Sequence, residues 1–451
     1  MSWRSHLINA ARTAAAQKRE WTGVACGCLL ISLFVGCGGT AELSGGPKNS
    51  PTVEQPSACQ TGHETCGTRA RTLPPLPPDF PKFSYRRYRQ GGIGMFLLGL
   101  APRAEKAWLI VFNAQGKPLW WERTSRPILQ NQILSDGTIV WARSFRDGYG
   151  VNPKMAHEVH GLNGEQLGLV RTHGTVTDGH EFHESPSGSY YLDSYSIRDD
   201  VDLSRFGGRP HASVADAEIQ EVAAGGGLLW RWNSRGRIRL AETGRWWQRN
   251  VAYNPHIVGG RKTYDAIHIN SIDLWGETVV ISTRHTDAIY GISRGDGRVL
   301  WKLGGTPTPQ SLRVIGDPYA EELFGGQHDA RIHGDGLLSV YDDATHRPRR
   351  PRAVFYRIDP ERRTATFIRQ LTDPIVRRSH CCGSVRPFAG GWLVDWGDNP
   401  LLTQFNSQGQ PVFRMHLAAS SYRAVPLPAS VTEEEIRQAM INSESIAQPA
   451  P

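Results

Sequence analysis

The chain has 451 residues, a formal charge of +8, 48 glycines, 29 prolines and 14 tryptophans. It lacks long stretches of helical periodicity, which excludes helical bundles and favours an all-β protein with many turns. The basic residues are scattered, apart from Arg347, Arg349, Arg350 and Arg352, and no basic helix carries interleaved aromatics. No nucleic-acid partner is therefore expected, whereas small anionic substrates fit the charge.

Residues 1–36 read as a lipoprotein signal peptide. Arg4, Arg12, Lys18 and Arg19 precede an apolar run from Thr22 to Gly36, which is short for a membrane span. The run ends in Leu33-Phe34-Val35-Gly36-Cys37, which resembles a bacterial lipobox, so Cys37 is the expected lipidation site. An uncleaved anchor helix is the competing reading. Gly38, rather than Asp, follows the cysteine and points to the outer membrane. The expected location is the bacterial cell envelope, on the periplasmic or surface face of that membrane. Cys26 and Cys28 would leave with the signal, and Cys59, Cys66, Cys381 and Cys382 would remain in an oxidising compartment. Cys59 and Cys66 are close enough in sequence to bridge, whereas a bridge between the adjacent Cys381 and Cys382 would be strained. Residues 37–82 are rich in Gly, Ser, Thr and Pro, including Pro74-Pro75-Leu76-Pro77-Pro78, and predict a tether.

From 83 to 427 a pattern recurs: a strand-like run, a glycine turn, and further apolar runs often closed by Gly and Trp. Clear copies of the closing motif are Gly116 to Trp121, Gly226 to Trp230 and Gly297 to Trp301. The openings align on Gly137, Gly188, Gly276, Gly336 and Gly390, with a further unit starting near Gly94-Met95-Phe96. Most units are near fifty residues and the third is lengthened by an insertion. This predicts an all-β fold, a six-bladed β-propeller, with five or seven blades as alternatives. The repeated tryptophans are read as packing between blades. Residues 428–451 predict a helical tail, with Ser430 and Glu433 as a capping box, a helix through Asn442, and Ile436 and Met440 on one side.

Three units carry histidine at one equivalent position. His180, His268 and His328 each lie eight residues before their turn glycine, Gly188, Gly276 and Gly336. First strands line the central channel of a propeller, so equivalent positions on consecutive blades converge. Leu129 and Cys382 hold this position in two other units. Arg284 and His268 are each eight residues from Gly276, which makes them cross-strand neighbours along Thr278 to Thr283. Asp265, Glu181 and Asp329 are near enough in sequence to support the histidines. A centre of three histidines also suits a divalent metal. Arg284 opposes that reading, because a cation beside a metal ion is unfavourable without an anion between them, so no metal is assigned. Strand alternation turns His183 and His285 away from the channel, and these, with His333 and His380, are read as supporting or surface residues.

His180-Glu181-Phe182, Asp265-Ala266-Ile267-His268-Ile269-Asn270-Ser271-Ile272, Ser282-Thr283-Arg284-His285, Leu303-Gly304-Gly305 and Gly326-Gln327-His328-Asp329-Ala330 stand in the order found in the arylsulfotransferases. Residues 90 to 425 resemble that family, most densely between 265 and 342. The resemblance implies a six-bladed propeller that moves a sulfuryl group from an aryl sulfate to a phenolic acceptor without PAPS. By motif position His328 resembles the histidine that is transiently sulfurylated. His180, His268 and Arg284 resemble its partners, with Arg284 and Asn270 binding substrate. No cofactor is implied. The implied partners are a small phenolic sulfate and a phenol, and the lipobox-like segment adds the expectation of membrane attachment through Cys37. Two features depart from the family. Tyr341-Asp342-Asp343 stands where Phe-Asp-Asn is common, and no separate β-domain precedes the blades. The alternatives are a metal-dependent hydrolase or lyase on a propeller, a quinoprotein-like dehydrogenase suggested by the tryptophans, and a non-catalytic surface-anchored binding propeller.

Overall fold

Gly137, Gly188, Gly276, Gly336 and Gly390 all have φ between 56° and 84°. Each sits in the tight turn between the first and second strands of a sheet, a left-handed conformation that a side chain would oppose. The computed structural model describes residues 72–89, 94–100, 107–143, 152–258 and 260–447, with side chains to 443. The predicted signal peptide, lipidation at Cys37 and bridge between Cys59 and Cys66 lie outside the described residues. All described residues fall in one unit, Thr68–Pro451.

Six mainly antiparallel sheets form the blades of a propeller. Their innermost strands are, in chain order, Ile128–Ile133, Val176–Glu184, Ile269–Trp275, His328–His333, Ser384–Phe388 and Ser421–Pro426. Each touches the next, and the last returns to the first, so the strands close a ring. The third blade holds the long insertion. It gains Arg261–Asp265 as a parallel neighbour of Ala212–Val222, and a π-helical turn, Trp247–Val251, precedes them.

Closure is made twice, by different ends of the chain. The C-terminal strand Ser421–Pro426 pairs with Met95–Leu100 and is the innermost strand of blade one. The N-terminal strand Phe83–Arg87 pairs with Pro411–Leu417 and is the outermost strand of blade six. Both add ladder hydrogen bonds where a sheet edge would otherwise stand open. Each interface between blades is filled by alternating inward residues. Phe96, Leu98, Ile110, Phe112, Leu393 and Met415 share one such core.

Two expectations for the chain ends need correction. The tether assigned to 37–82 includes residues that belong to the fold. Leu73 and Phe80 pack on the core of blade one, and the Phe80 ring meets Trp108 and Trp121 edge-on at 5.3 and 5.7 Å. The capping box is made by Thr432 and Glu435, two residues later than expected. Glu435 N–H donates to Thr432 Oγ1 at 3.2 Å, and Thr432 N–H donates to Glu435 Oε2 at 2.7 Å. The helix runs Glu433–Ala447, and Ile436 and Met440 face the blade-one core as their spacing requires.

Candidate active site

The inner strands of the six blades, or the residues just before them, each place a side chain in the wall of a single cavity of about 270 Å³. Going round the ring these are Tyr422, Leu129, His180, His268, His328 and Cys382. Five of the six are the positions eight residues before a turn glycine. Arg284 joins them, because its N–H donates to the carbonyl of His268 at 2.8 Å just beyond the last ladder pair, Ile269 and Thr283. The His180 and His268 rings are 4.7 Å apart, and Tyr422 lies 5.6 Å from His180 and 6.1 Å from His328.

Each histidine is held through Nδ1 by an aspartate. Asp178 lies 2.6 Å from His180, Asp265 lies 2.5 Å from His268, and Asp343 lies 2.7 Å from His328. The hydrogen-bond network assigns the His328 tautomer. The N–H of Cys382 points at Nε2 at 3.2 Å, so Nε2 accepts and the imidazole proton is on Nδ1, facing Asp343. Ser379 Oγ donates to the other Asp343 oxygen at 2.6 Å. Burial, then the charge of Arg284, holds His328 well below the usual histidine range, and burial does the same to His268. Burial pushes Asp343 well above its ordinary value. Burial also drives Asp178 upward, yet the neighbouring His180 outweighs it and leaves that carboxyl below its ordinary value.

Arg284 is fixed on three sides. Its guanidinium lies 4.5 Å from the face of Trp246, donates from Nη1 to His285 Nε2 at 3.0 Å, and donates from Nη2 to the His380 carbonyl at 2.8 Å. The turn Arg284–Thr286 is packed against Gly304 and Gly305, both at positive φ. A Cβ on Gly305 would lie 2.2 Å from the Thr286 carbonyl oxygen, so the paired glycines let the backbones meet. Beneath them Asp287 accepts hydrogen bonds from Arg245, Trp246 and the N–H of Gly326. Gln327 bolts blade five to blade four through Ser282, Thr283 and Ala288.

Several expectations for individual residues are corrected. Asn270, expected to bind substrate, is absent from the cavity wall. It is buried and its Nδ2 donates to the Gln327 carbonyl at 2.7 Å, an interblade contact. His285 is buried and lines the cavity, with its ring 4.8 Å from His268, because the strand ends at Thr283 and the following 3-10 turn breaks the alternation. Of the three expected supporting carboxylates only Asp265 serves a histidine. Glu181 and Asp329 face a buried cluster of Arg331, Arg386 and Arg423. The sequence reading missed Asp178, Asp343, Tyr422 and the insertion residues Asn250, Asn254 and His256 that complete the wall. Asp343 was visible only as a departure from the family pattern, and Tyr422 belongs to a strand with no glycine hairpin to align it. His183, 3.8 Å from Asp273, lies outside the cavity wall, and the exposed ring of His380 bonds Asp398.

The fold and this cavity define a class: a six-bladed propeller with a histidine-lined pocket built from its inner strands. The chain belongs to the arylsulfotransferase (ASST) family, which it matches over residues 130–418. No curated protein matches it. Among solved structures it is similar to a protein of unknown function from Bacteroides caccae, at 12% identity over 74% of this chain and 99% of the other, with a TM-score of 0.46. It is likewise similar to a putative 6-phosphogluconolactonase from Bacteroides uniformis ATCC 8492, at 12% identity over 75% and 100% of the two chains, with a TM-score of 0.42. These structural likenesses carry no argument about activity.

Proposed function

We propose that this arylsulfotransferase-family protein passes a sulfuryl group from an aryl sulfate to a phenol through a sulfurylated His328. The observation that carries the reading is the His328 tautomer: a neutral imidazole whose unprotonated Nε2 faces the cavity beside Arg284. Arg284 offers its remaining N–H groups to the sulfuryl oxygens. The Nε2 lone pair attacks sulfur as the S–O(aryl) bond breaks and its electron pair leaves with the phenolate. Charge builds on the leaving and peripheral oxygens, as in phosphoryl transfer. The Cys382 N–H then loses its imidazole acceptor and turns to a sulfuryl oxygen. His180, supported by the ionised Asp178, gives its proton to the departing phenolate, and later takes one from the acceptor phenol as that oxygen attacks sulfur. His268 orients the aryl oxygen between them.

The buried cluster of Glu181, Arg331, Asp329, Arg386 and Arg423 lies among the same inner strands. Because the sulfuryl group rests on His328 between the two transfers, donor and acceptor react in turn, and the kinetics are ping-pong. The test is mass spectrometry after brief exposure to 4-nitrophenyl sulfate. A sulfuryl adduct on His328 is expected, and unimpaired turnover by His328→Ala would defeat the reading.

A metal-dependent hydrolase has one observation in its favour. Among the described residues, Asp265, His268 and His285, and separately Asp178, His180 and Asp193, bring candidate ligand atoms within 4.8 Å of one another. Elemental analysis before and after chelation, with activity unchanged, separates the two. We further propose that Cys37 is acylated and anchors the protein in the cell envelope. Metabolic palmitate labelling that is lost in Cys37→Ser tests it.

A further inference from the structure

Cys381 and Cys382 stand in the wall of the same cavity, and sulfuryl transfer makes no use of their sulfurs. Both are free thiols of intermediate exposure. Its neighbour Cys382 draws the Cys381 thiol below its ordinary value against the effect of burial, and the charge of Arg284 adds to this, whereas Cys381 and burial push Cys382 well above its own. Their loop touches both ends of the proposed chemistry. The Cys382 N–H reaches His328 Nε2, and the His380 carbonyl accepts from Arg284. Its backbone is also set in an unusual shape, with φ of 72° at Cys382 and 94° at Gly383. A Cβ on Gly383 would meet the Tyr341 ring at 2.5 Å, so the loop is pinned from behind.

We propose that Cys381 and Cys382 form a redox-active dithiol site whose oxidant is a small-molecule disulfide, and that closing their bridge withdraws the Cys382 amide from His328. The consequence for catalysis rests on the role given to His328 above. The Cys381 thiolate attacks one sulfur of the disulfide, and the S–S electron pair leaves with the other half, which is protonated by water. The Cys382 thiol then loses its proton to solvent and attacks the Cys381 sulfur of the mixed disulfide, expelling the second half as a thiolate. Two cysteine thiols are oxidised and one disulfide is reduced to two thiols. Neighbouring Cα atoms are about 3.8 Å apart, whereas ordinary disulfides span roughly 4.4–6.8 Å. The bridged pair is therefore strained, and the strain is relieved by turning the peptide between the cysteines, whose N–H moves away from Nε2. Strained bridges are readily reduced, which suits a reversible site.

The test takes the full mature chain, reduced and then equilibrated with oxidised glutathione. Peptide mapping should find the Cys381–Cys382 peptide lighter by two hydrogen atoms. The 15N resonances of the His328 imidazole should shift. Sulfurylation of His328 by 4-nitrophenyl sulfate should slow about a hundredfold, the scale of losing one oxyanion donor, and recover with dithiothreitol. In Cys381→Ser the ratio of oxidised to reduced rates should stay near unity. A stable glutathione adduct with no bridge would overturn the proposal, and so would a bridge that leaves the His328 resonances unmoved. If the reduced protein transfers from no aryl sulfate, the reading of His328 as nucleophile falls by itself, and the mass and resonance shifts still decide the dithiol site.

Discussion

The proton on His328 is placed by two neighbours, a carboxylate on one nitrogen and an amide N–H on the other. An asparagine at 343, the residue common in the family, can accept the Nδ1 proton through its side-chain oxygen, whereas an alanine leaves Nδ1 without that partner. Asp343→Ala should therefore lower the rate of 4-nitrophenolate release about 10³-fold or more, the scale known for a tautomer-fixing aspartate, and Asp343→Asn should fall far less, each with an unchanged circular dichroism spectrum. The depressed pKa of His328 also sets a pH dependence. The nucleophile stays neutral as pH falls through the ordinary histidine range, so the sulfurylation rate should show no break there from His328. A break near the value of a free histidine in the His328 15N titration would refute this. Stability follows a different histidine. Burial holds His157 at about 4 against 6.5 for the free side chain. Above 6.5 it is neutral in both states and has no effect. As pH falls from 6.5 to 4 only the unfolded chain takes up the proton, so about 3 kcal/mol of stability is lost across that window. Urea titrations at several pH values should show the decline, flattened in His157→Gln. At this scale the sequence made His180, His268, His328 and Arg284 legible, because repeats copy geometry. The aspartates were harder to read. Asp178 is two residues from its histidine, Asp265 three and Asp343 fifteen, so no single offset marks them.

The element that departs most from the repeat, the blade-three insertion, holds the guanidinium. Trp246 lies 4.5 Å from the guanidinium groups of both Arg245 and Arg284, and its Nε1 donates to Asp287 at 2.8 Å. Trp246→Leu should raise KM for aryl sulfates about tenfold, the scale of one desolvated cation–π contact, with Trp246→Phe in between by steady-state kinetics. The glycine alignment gave away the hairpins and the place of the insertion, since a turn at positive φ leaves a mark in composition. It could not say that the insertion folds back over the site, because that depends on packing between distant residues such as Phe206 and Trp247. The 3-10 turn at Arg284–Thr286 was likewise hidden, and with it the inward course of His285.

At the scale of the whole molecule, the inner strands share a buried cluster of charges. Glu181 and Asp329 are almost wholly buried and meet arginines from blades one, five and six. Removing one charge of such a cluster strands its partners without water. Glu181→Gln should destabilise the fold by roughly 3–5 kcal/mol, read from the urea midpoint. This cluster was not foreseen, since Glu181 and Asp329 looked like servants of the neighbouring histidines. The number of blades was legible, and so was the position of their inner strands, but the manner of closure was not. Nothing local in Ser421–Pro426 or Phe83–Arg87 tells which sheet each strand will join.

Because Ser421–Pro426 follows every other blade strand in the chain, the pocket wall stays notched and Glu181 lacks its Arg423 until that strand has been made. A shortened translation product ending before that strand has all three histidines and no enclosed place to use them. The pocket is enclosed only once this strand takes its place in the first blade, so the order of the strands sets when the site is assembled.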